Sequence, residues 1–141
     1  MKITEWNIRH GGSNERIPKI LSSLQSHDAD IIVLTEFRSE RLDLLLEGLR
    51  RLGYTDFISS NPGPNTNGIF IASRCHLGQI DSKYVSEGVK HRWLEVDVAD
   101  YGFKLLGIHI PGASDKWGKK AFWESVIDYA RDHTDEKVIM M

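Results

Sequence analysis

The chain has 141 residues, of which 40% are hydrophobic and 27% are charged. This composition is typical of a single globular domain and unlike that of a disordered or fibrous chain. Eighteen Lys and Arg residues against 20 Asp and Glu residues leave a net charge of −2, which excludes nucleic-acid binding through bulk positive charge alone. A site that reaches phosphate through a bound metal is compatible with this charge. We expect residues 1–141 to form one domain.

Cysteine content and hydropathy indicate the compartment. The single cysteine, Cys75, cannot form an internal disulfide, and no Cys-rich zinc pattern is present. The first residues lack the apolar core of a signal peptide, and no apolar run approaches the roughly 18 residues of a membrane span. We therefore expect a cytoplasmic protein that does not enter the membrane, and no sequence feature points to an obligate protein partner.

The first half of the chain alternates between strand and helix patterns. Residues 2–8 are rich in β-formers and run into a Gly-Gly turn, and residues 31–34 form an apolar run typical of a buried strand. Apolar residues recur at helical spacing over 17–24 and 42–49. The order strand, helix, strand, helix favours parallel pairing with right-handed crossovers.

The second half predicts more strands and one further helix. Strands are predicted at residues 54–59, 68–72, 89–98 and 103–110, and a last strand begins at Lys137. Ser114-Asp115 predicts the cap of the helix. Its predicted buried face consists of Phe122, Trp123, Val126, Ile127 and Ala130. Together these patterns predict an α/β chain with mixed strand directions.

Polar residues end two of the apolar strands. Asn7 ends the first predicted strand and Glu36 ends the second. Because ligands bind outside the carboxyl ends of parallel strands, we expect both side chains at one rim of the sheet. A carboxylate and an amide oxygen suit Mg²⁺, which keeps several waters and takes only one or two protein carboxylates. The alternative is that Asn7 caps a turn and that Glu36 is a solvated strand end.

One histidine and two arginines are further candidates. His109 lies within an apolar strand, and its ring suits proton transfer or phosphate contact near neutral pH. The alternative for His109 is a hydrogen-bonded core residue. Arg92 opens a predicted strand and Arg74 ends another. Either arginine is a candidate for binding the phosphate of a substrate, and a structural role is the favoured alternative for both.

Three stretches of the chain carry a further signal, namely residues 2–7, 29–36 and 67–74. Their motifs and their order resemble the endonuclease/exonuclease/phosphatase superfamily, which includes pancreatic deoxyribonuclease, abasic-site repair endonucleases and inositol-phosphate phosphatases. The strand through residues 107–111 is similar to the family strand that supplies a phosphate-contacting His or Tyr, and residues 137–141 are similar to the strand that leads into a Gly-Asp-X-Asn motif. The family fold is a four-layer α/β/β/α sandwich with mixed sheets, so this chain is expected to form the first half of such a sandwich.

The resemblance implies a divalent-metal-dependent phosphoester hydrolase of the nuclease or phosphodiesterase type. Asn7 and Glu36 would hold Mg²⁺, or Mn²⁺ as an alternative, and His109 would contact the phosphate or the leaving group. Nucleic acid is the expected substrate. Two other interpretations stay open, namely a phosphomonoesterase acting on a small or lipid-linked phosphate, and a non-catalytic binding module.

Two motifs of the family are not found in these 141 residues. They are the Gly-Asp-X-Asn motif and the Asp-His pair near the family's carboxyl end. The resemblance therefore implies that the chain is the amino-terminal portion of a longer domain. It also implies that the 141-residue chain alone has little or no activity.

Overall fold

The structure is a computed structural model that describes residues 1–112 and 118–141. The helices of the described residues are α1 (Ile17–His27), α2 (Leu42–Arg51) and α3 (Lys119–Asp132). The strands are β1 (Ile3–Asn7), β2 (Ile31–Phe37), β3 (Asp56–Ser59), β4 (Gly68–Ser73), β5 (Gly78–Ile80), β6 (Trp93–Val98), β7 (Phe103–Ile108) and β8 (Val138–Met140). The predicted cap at Ser114-Asp115 lies outside the described residues. Across residues 1–112 and 118–141, no helix has the length and apolar character needed to cross a membrane.

The strands form two four-stranded sheets. The first has the order β1-β2-β4-β3 and the second β5-β6-β7-β8. β1 pairs with β2 in parallel and β7 pairs with β8 in parallel, whereas the other pairs are antiparallel. Each parallel pair is joined by a crossover that contains a helix, because parallel strands cannot be linked by a tight turn. Both sheets are therefore mixed, which confirms the predicted α/β fold class.

The sheets and helices stack in four layers because side chains alternate along each strand. On β2, Ile32 and Leu34 pack against α1 and α2, while Ile31 and Val33 face the second sheet. On the far side of the second sheet, Leu106 of β7 packs with the buried face of α3. The result is the α/β/β/α arrangement that the resemblance implied.

The two sheets approach each other closely at Gly107 of β7. A Cβ atom at this position would lie 3.0 Å from Cγ2 of Ile69 and 3.1 Å from Cγ1 of Val33, both in the first sheet. These distances are shorter than ordinary van der Waals contact between carbons. Glycine thus lets the sheets pack directly, and it brings His109, two residues further on, against the end of the first sheet.

The buried face of α3 differs from the predicted one. Phe122, Val126 and Tyr129 are buried, whereas Trp123 is 44% exposed and Ile127 is 53% exposed. Ala130 is exposed as well. The residues at positions 122, 126 and 129 still follow helical spacing. This face packs against Trp93 of β6 through Phe122 and Tyr129, and the buried hydroxyl of Tyr129 donates to Glu95 at 2.9 Å. The prediction was wrong for Trp123, Ile127 and Ala130.

The strand predicted at 89–98 begins later than expected. Residues Glu87–Arg92 form a 3₁₀ helix, and β6 starts at Trp93. Arg92 therefore lies at the junction between this turn and the strand. Its main-chain oxygen accepts a hydrogen bond from the main-chain N–H of His109 at 2.9 Å.

Candidate functional site

Glu36 is placed by a break in the regular geometry of β2. Thr35 pairs with Ile69 and Phe37 pairs with Gly68, so Glu36 is the extra residue of a β-bulge. Its φ of 55° is positive, which is uncommon for a residue with a side chain. In regular alternation Glu36 would face the helices, as Ile32 and Leu34 do. Bulges re-aim side chains, and here the Glu36 carboxylate lies beside His109 of the other sheet.

The Glu36 carboxylate accepts hydrogen bonds from three directions. Asn7 Nδ2 donates to Oε1 at 2.9 Å, and the main-chain N–H of His10 donates to Oε2 at 3.1 Å. Asn67 Nδ2 lies 3.4 Å from Oε2. The Glu36 side chain is 18% exposed, so the carboxylate is held firmly and still reaches the surface.

These contacts keep Glu36 ionised. Partial burial by itself would raise the pKa of Glu36. The hydrogen bonds from Asn7 and from the His10 main chain outweigh that effect, and the imidazoles of His109 and His10 lower the pKa further when they carry charge. The pKa of Glu36 is consequently below its ordinary value. A carboxylate at this position is negatively charged near neutral pH.

Asn7 lies next to Glu36, at the rim where both strands end. Asn7 pairs with Thr35 in the parallel register of β1 and β2, and its side chain faces the second sheet in the alternation that begins with Ile3. The oxygen Oδ1 of Asn7 accepts the main-chain N–H of Arg9 at 2.9 Å. Asn7 thus orients the carboxylate with its nitrogen, and its carbonyl oxygen has a second lone pair for another partner.

His109 meets this pair from the second sheet. Its Nε2 lies 3.7 Å from Oε1 of Glu36, and its side chain is 21% exposed. On the other side of the ring, Nη1 of Arg92 lies 3.3 Å from Nδ1. The structure therefore brings Asn7, Glu36, His109 and Arg92 into one cluster that bridges the ends of the two sheets.

Arg74 lies elsewhere. It follows Ser73, which pairs with Ile31 at the beginning of β2, whereas Glu36 is at the other end of that strand. Its Nη2 contacts Oδ1 of Asp28 at 2.7 Å. Arg74 is thus separated from the cluster by the length of β2, and its contacts are those of a structural ion pair.

Three residues of the cluster's surroundings were not predicted. Arg38 Nε donates to Oδ1 of Asn67 at 2.9 Å, and Asn67 Nδ2 lies 3.0 Å from Nδ1 of His10. Asn67 is next to Gly68, the partner of Phe37, so the antiparallel register places it beside Glu36. In the sequence, Asn67 opens the stretch 67–74 that resembles the family, and this was the signal that could have pointed to it.

The loop between β1 and α1 also contacts the main chain of Glu36. The main-chain N–H of Gly11 donates to the Glu36 main-chain oxygen at 2.6 Å. Gly11 has a φ of +72°, and a Cβ atom there would lie 2.9 Å from Cβ of Arg38. Only glycine combines this backbone conformation with so close an approach. The β1–α1 loop therefore fixes the main chain of Glu36 as well as its carboxylate.

The donor set fits a hard divalent cation with few protein ligands. Glu36 supplies an ionised carboxylate and Asn7 an amide oxygen, which are ligand types that Mg²⁺ accepts. Within residues 1–112 and 118–141, no group of three or more His, Cys, Asp or Glu side chains could enclose a metal ion. Among the described residues, Glu36 and Asn7 would therefore be the candidate ligands, and such a small set of oxygen ligands suits Mg²⁺ better than a structural zinc ion.

Comparison with solved structures identifies the fold. An AP endonuclease from Archaeoglobus fulgidus is similar with a TM-score of 0.77 at 18% identity, over 99% of this chain and 55% of that chain. The 3′ phosphatase NExo (D146N) from Neisseria, bound to a product DNA hairpin, has a TM-score of 0.72 at 19% identity, over 99% and 56%. TDP2 from D. rerio, complexed with a single-strand DNA product, has a TM-score of 0.68 at 15% identity, over 99% and 58%. This chain therefore spans little more than half the length of each of these proteins.

Sequence comparison gives a result at the level of the family. No curated protein matches the chain. Residues 4–141 match the Endonuclease/Exonuclease/phosphatase family, and this match includes Asn7 and Glu36. Since the match covers nearly the whole chain, the protein belongs to the endonuclease/exonuclease/phosphatase family.

Proposed function

We propose that the chain forms the metal-binding half of a divalent-metal-dependent phosphoester hydrolase of the nuclease or phosphodiesterase type. The observation that carries this proposal is the ionised Glu36 carboxylate on its bulge, 2.9 Å from Nδ2 of Asn7 and 3.7 Å from Nε2 of His109. A hard anionic ligand and a nitrogen donor thus face the same small volume between the ends of the two sheets.

Each residue has a part in the proposed reaction. Glu36, with the oxygen of Asn7, would hold Mg²⁺, or Mn²⁺ in its place. A bound divalent cation supplies Lewis-acid stabilisation of negative charge on a phosphate. His109 would donate a hydrogen bond to a phosphoryl oxygen or to the leaving oxygen, and the loss of one such donor typically costs about two to three orders of magnitude in rate.

Nucleic acid is the proposed substrate class. Two of the three similar structures contain DNA products, which supports this choice over a small or lipid-linked phosphate. The net charge of −2 is compatible with a metal-assisted contact to one phosphate and does not favour binding along a long duplex. Arg92 is close enough to His109 to belong to the site, whereas a substrate role of Arg74 stays a prediction. A cytoplasmic location stays a prediction too.

A Mg²⁺ titration of the 141-residue chain tests the metal site without depending on turnover. We expect chemical-shift changes centred on Glu36 and Asn7, together with thermal stabilisation. At a Mg²⁺ concentration ten times the dissociation constant, the stabilisation is about 1.4 kcal/mol. Glu36→Gln should abolish both responses because it removes the charge and keeps the shape.

A nearby carboxylate provides the matched control. Glu40 lies four residues from Glu36, and its carboxylate accepts the main-chain N–H of Asn65 at 2.6 Å, outside the cluster. Glu40→Gln should leave the Mg²⁺ response intact. Equal losses in the two variants, or no Mg²⁺ response in the unmodified chain, would contradict the metal site and would favour a non-catalytic binding module.

Hydrolysis is assayed separately on plasmid DNA, a single-stranded oligonucleotide and an inositol phosphate. We expect the 141-residue chain alone to show little or no turnover, because the family's Gly-Asp-X-Asn motif and Asp-His pair are not among its residues. Metal-dependent turnover at a rate typical of an enzyme would refute the idea that these groups are needed. A preference for the inositol phosphate would replace the nuclease with a phosphomonoesterase.

A further inference from the structure

Arg92 touches the ring of His109 on the side away from the metal site. Nη1 of Arg92 lies 3.3 Å from Nδ1 of His109, and the two residues are also joined through their main chains, since the His109 N–H donates to the Arg92 oxygen at 2.9 Å. The Arg92 side chain is therefore held against the imidazole by the pairing of β6 and β7 rather than by a chance surface contact.

The chemistry of these two groups selects one form of the ring. A guanidinium has only donors and no acceptor, so a hydrogen bond with Nδ1 requires that Nδ1 carry a lone pair. In a neutral imidazole, the proton must then be on Nε2. A ring with a proton on Nδ1 would set one N–H group against another.

The contact on the other side of the ring favours the same form. Nε2 of His109 lies 3.7 Å from Oε1 of the Glu36 carboxylate. A bare Nε2 would turn its lone pair toward this carboxylate, whereas an N–H there is attracted to it. Arg92 and Glu36 thus flank the ring with charges that both favour the proton on Nε2.

We propose that Arg92 is a positioning residue that fixes His109 as its Nε2–H tautomer, so that the site presents a nitrogen donor beside Glu36. The tautomer is inferred from the contacts of the ring with Arg92 and Glu36. Its use, a hydrogen bond from Nε2–H to a phosphoryl oxygen, rests on the proposed function. On this view Arg92 acts through His109, and its guanidinium does not need to touch the substrate.

Nitrogen-15 spectra of the histidine rings of the 141-residue chain test the proposal directly. The His109 signals are assigned by their absence from His109→Gln. We expect Nε2 to show the chemical shift of a protonated nitrogen and Nδ1 that of a bare one, with no averaging between the two forms. A protonated Nδ1 in the unmodified chain would overturn the proposal, and this result does not depend on any variant folding.

Two substitutions then test whether Arg92 determines the tautomer of His109. In Arg92→Met, which keeps an unbranched apolar stem and removes every donor, we expect both ring nitrogens to move toward the averaged shifts of a mixed tautomer population. Arg92→Lys retains a donor on a flexible stem and should restore most of the original spectrum. Unchanged nitrogen shifts in Arg92→Met would overturn the role of Arg92.

The remaining control separates this proposal from the proposed function. Arg74→Met removes an arginine at the far end of β2 and should leave the His109 spectrum unchanged; a change equal to that of Arg92→Met would count against a specific contact. A chain with the expected His109 spectrum and no Mg²⁺ response would refute the hydrolase alone. A chain with the Mg²⁺ response and a mixed His109 spectrum would refute the positioning role alone.

Discussion

The two ends of strand β2 carry charged side chains in different ways. Near Ile31, where the strand begins, Arg74 pairs with Asp28 at 2.7 Å, and its guanidinium lies 5.1 Å from the ring centre of Tyr54. The Tyr54 hydroxyl in turn donates to the main-chain oxygen of Ala29 at 2.7 Å. Nη2 of Arg74 also donates to the main-chain oxygen of Leu52 at 3.3 Å, and the pairing of the strand is regular at this end.

At the other end of β2, near Glu36, the arrangement of donors and acceptors is different. One carboxylate, that of Glu36, receives donors from several elements, and it sits on a bulge with positive φ. A non-glycine residue in this region costs of order 1–3 kcal/mol and persists only where its surroundings over-determine it. The difference teaches that charge alone does not mark a site. What distinguishes Glu36 is that several parts of the chain donate to one carboxylate, which a bulge in the strand carries.

The largest expected loss of stability comes from a substitution that forces the two sheets apart near Glu36. Gly107→Val places side-chain atoms where even a Cβ would lie 3.0 Å from Ile69 and 3.1 Å from Val33. Overpacking of this kind costs about 1–3 kcal/mol. We expect a lower urea midpoint and the loss of the His109 spectrum described above, because His109 would move away from Glu36.

A second strand glycine provides the control for this change. At Gly78 of β5 the nearest atom to an added Cβ is Cβ of Asp97 at 3.7 Å, which is ordinary contact. Gly78→Val should be neutral or stabilising, since a β-branched residue suits a strand. Similar losses of stability in both variants would mean that the close sheet contact at Gly107 is not the reason for its glycine.

A smaller effect is expected at the opposite end of β2. Arg74→Met removes the ion pair with Asp28 and the contact with Tyr54, and should lower the free energy of unfolding by about 1 kcal/mol. Arg74→Lys should recover part of this loss because it keeps the charge. Both variants should bind Mg²⁺ as the unmodified chain does. A weakened Mg²⁺ response in Arg74→Met would show that the two ends of the strand are coupled.

Much of the first half of the fold could be predicted from the sequence, because its signals are local. The apolar run before Glu36 and the helical spacing after it gave the order strand, helix, strand, and the parallel pairing placed Asn7 and Glu36 at one rim. The rule that strand ends converge needs only the strand direction. Distances at that rim, in contrast, depend on features that no local pattern contains.

The rest of the cluster depends on register and on contacts between layers. The bulge at Glu36 follows from how β2 pairs with β4, and that pairing also places Asn67. His109 lies two residues beyond Gly107, where the two sheets approach each other closely, and sequence patterns do not show that approach. The face of α3 was predicted incorrectly because it is selected by contacts with residues far away in sequence, among them Trp93 and Glu95 of β6.

The smallest expected effect concerns the pH dependence of stability, and it tests how Glu36 is held. The folded-state pKa of Glu36 is lowered from its ordinary value of 4.5. Its ionised form therefore stabilises the fold fully above about 4.5, and this contribution is lost as the pH falls through the lower, folded-state value. Asn7→Ala removes one of the hydrogen bonds that lower the pKa, so the pKa of Glu36 should move up toward 4.5.

The difference in unfolding free energy between Asn7→Ala and the unmodified chain should then change with pH in a defined direction. The variant should be less stable at neutral pH, and this difference should shrink once the pH is below the folded-state pKa, where Glu36 is protonated in both proteins. Urea unfolding at several pH values measures the difference, and carbon-13 shifts of the Glu36 carboxyl follow the pKa itself. Asn14→Ala, at an exposed position in the β1–α1 loop, should show no such trend. A difference that grows on acidification would mean that Asn7 stabilises protonated Glu36, and the carboxylate would then not be held ready for a cation.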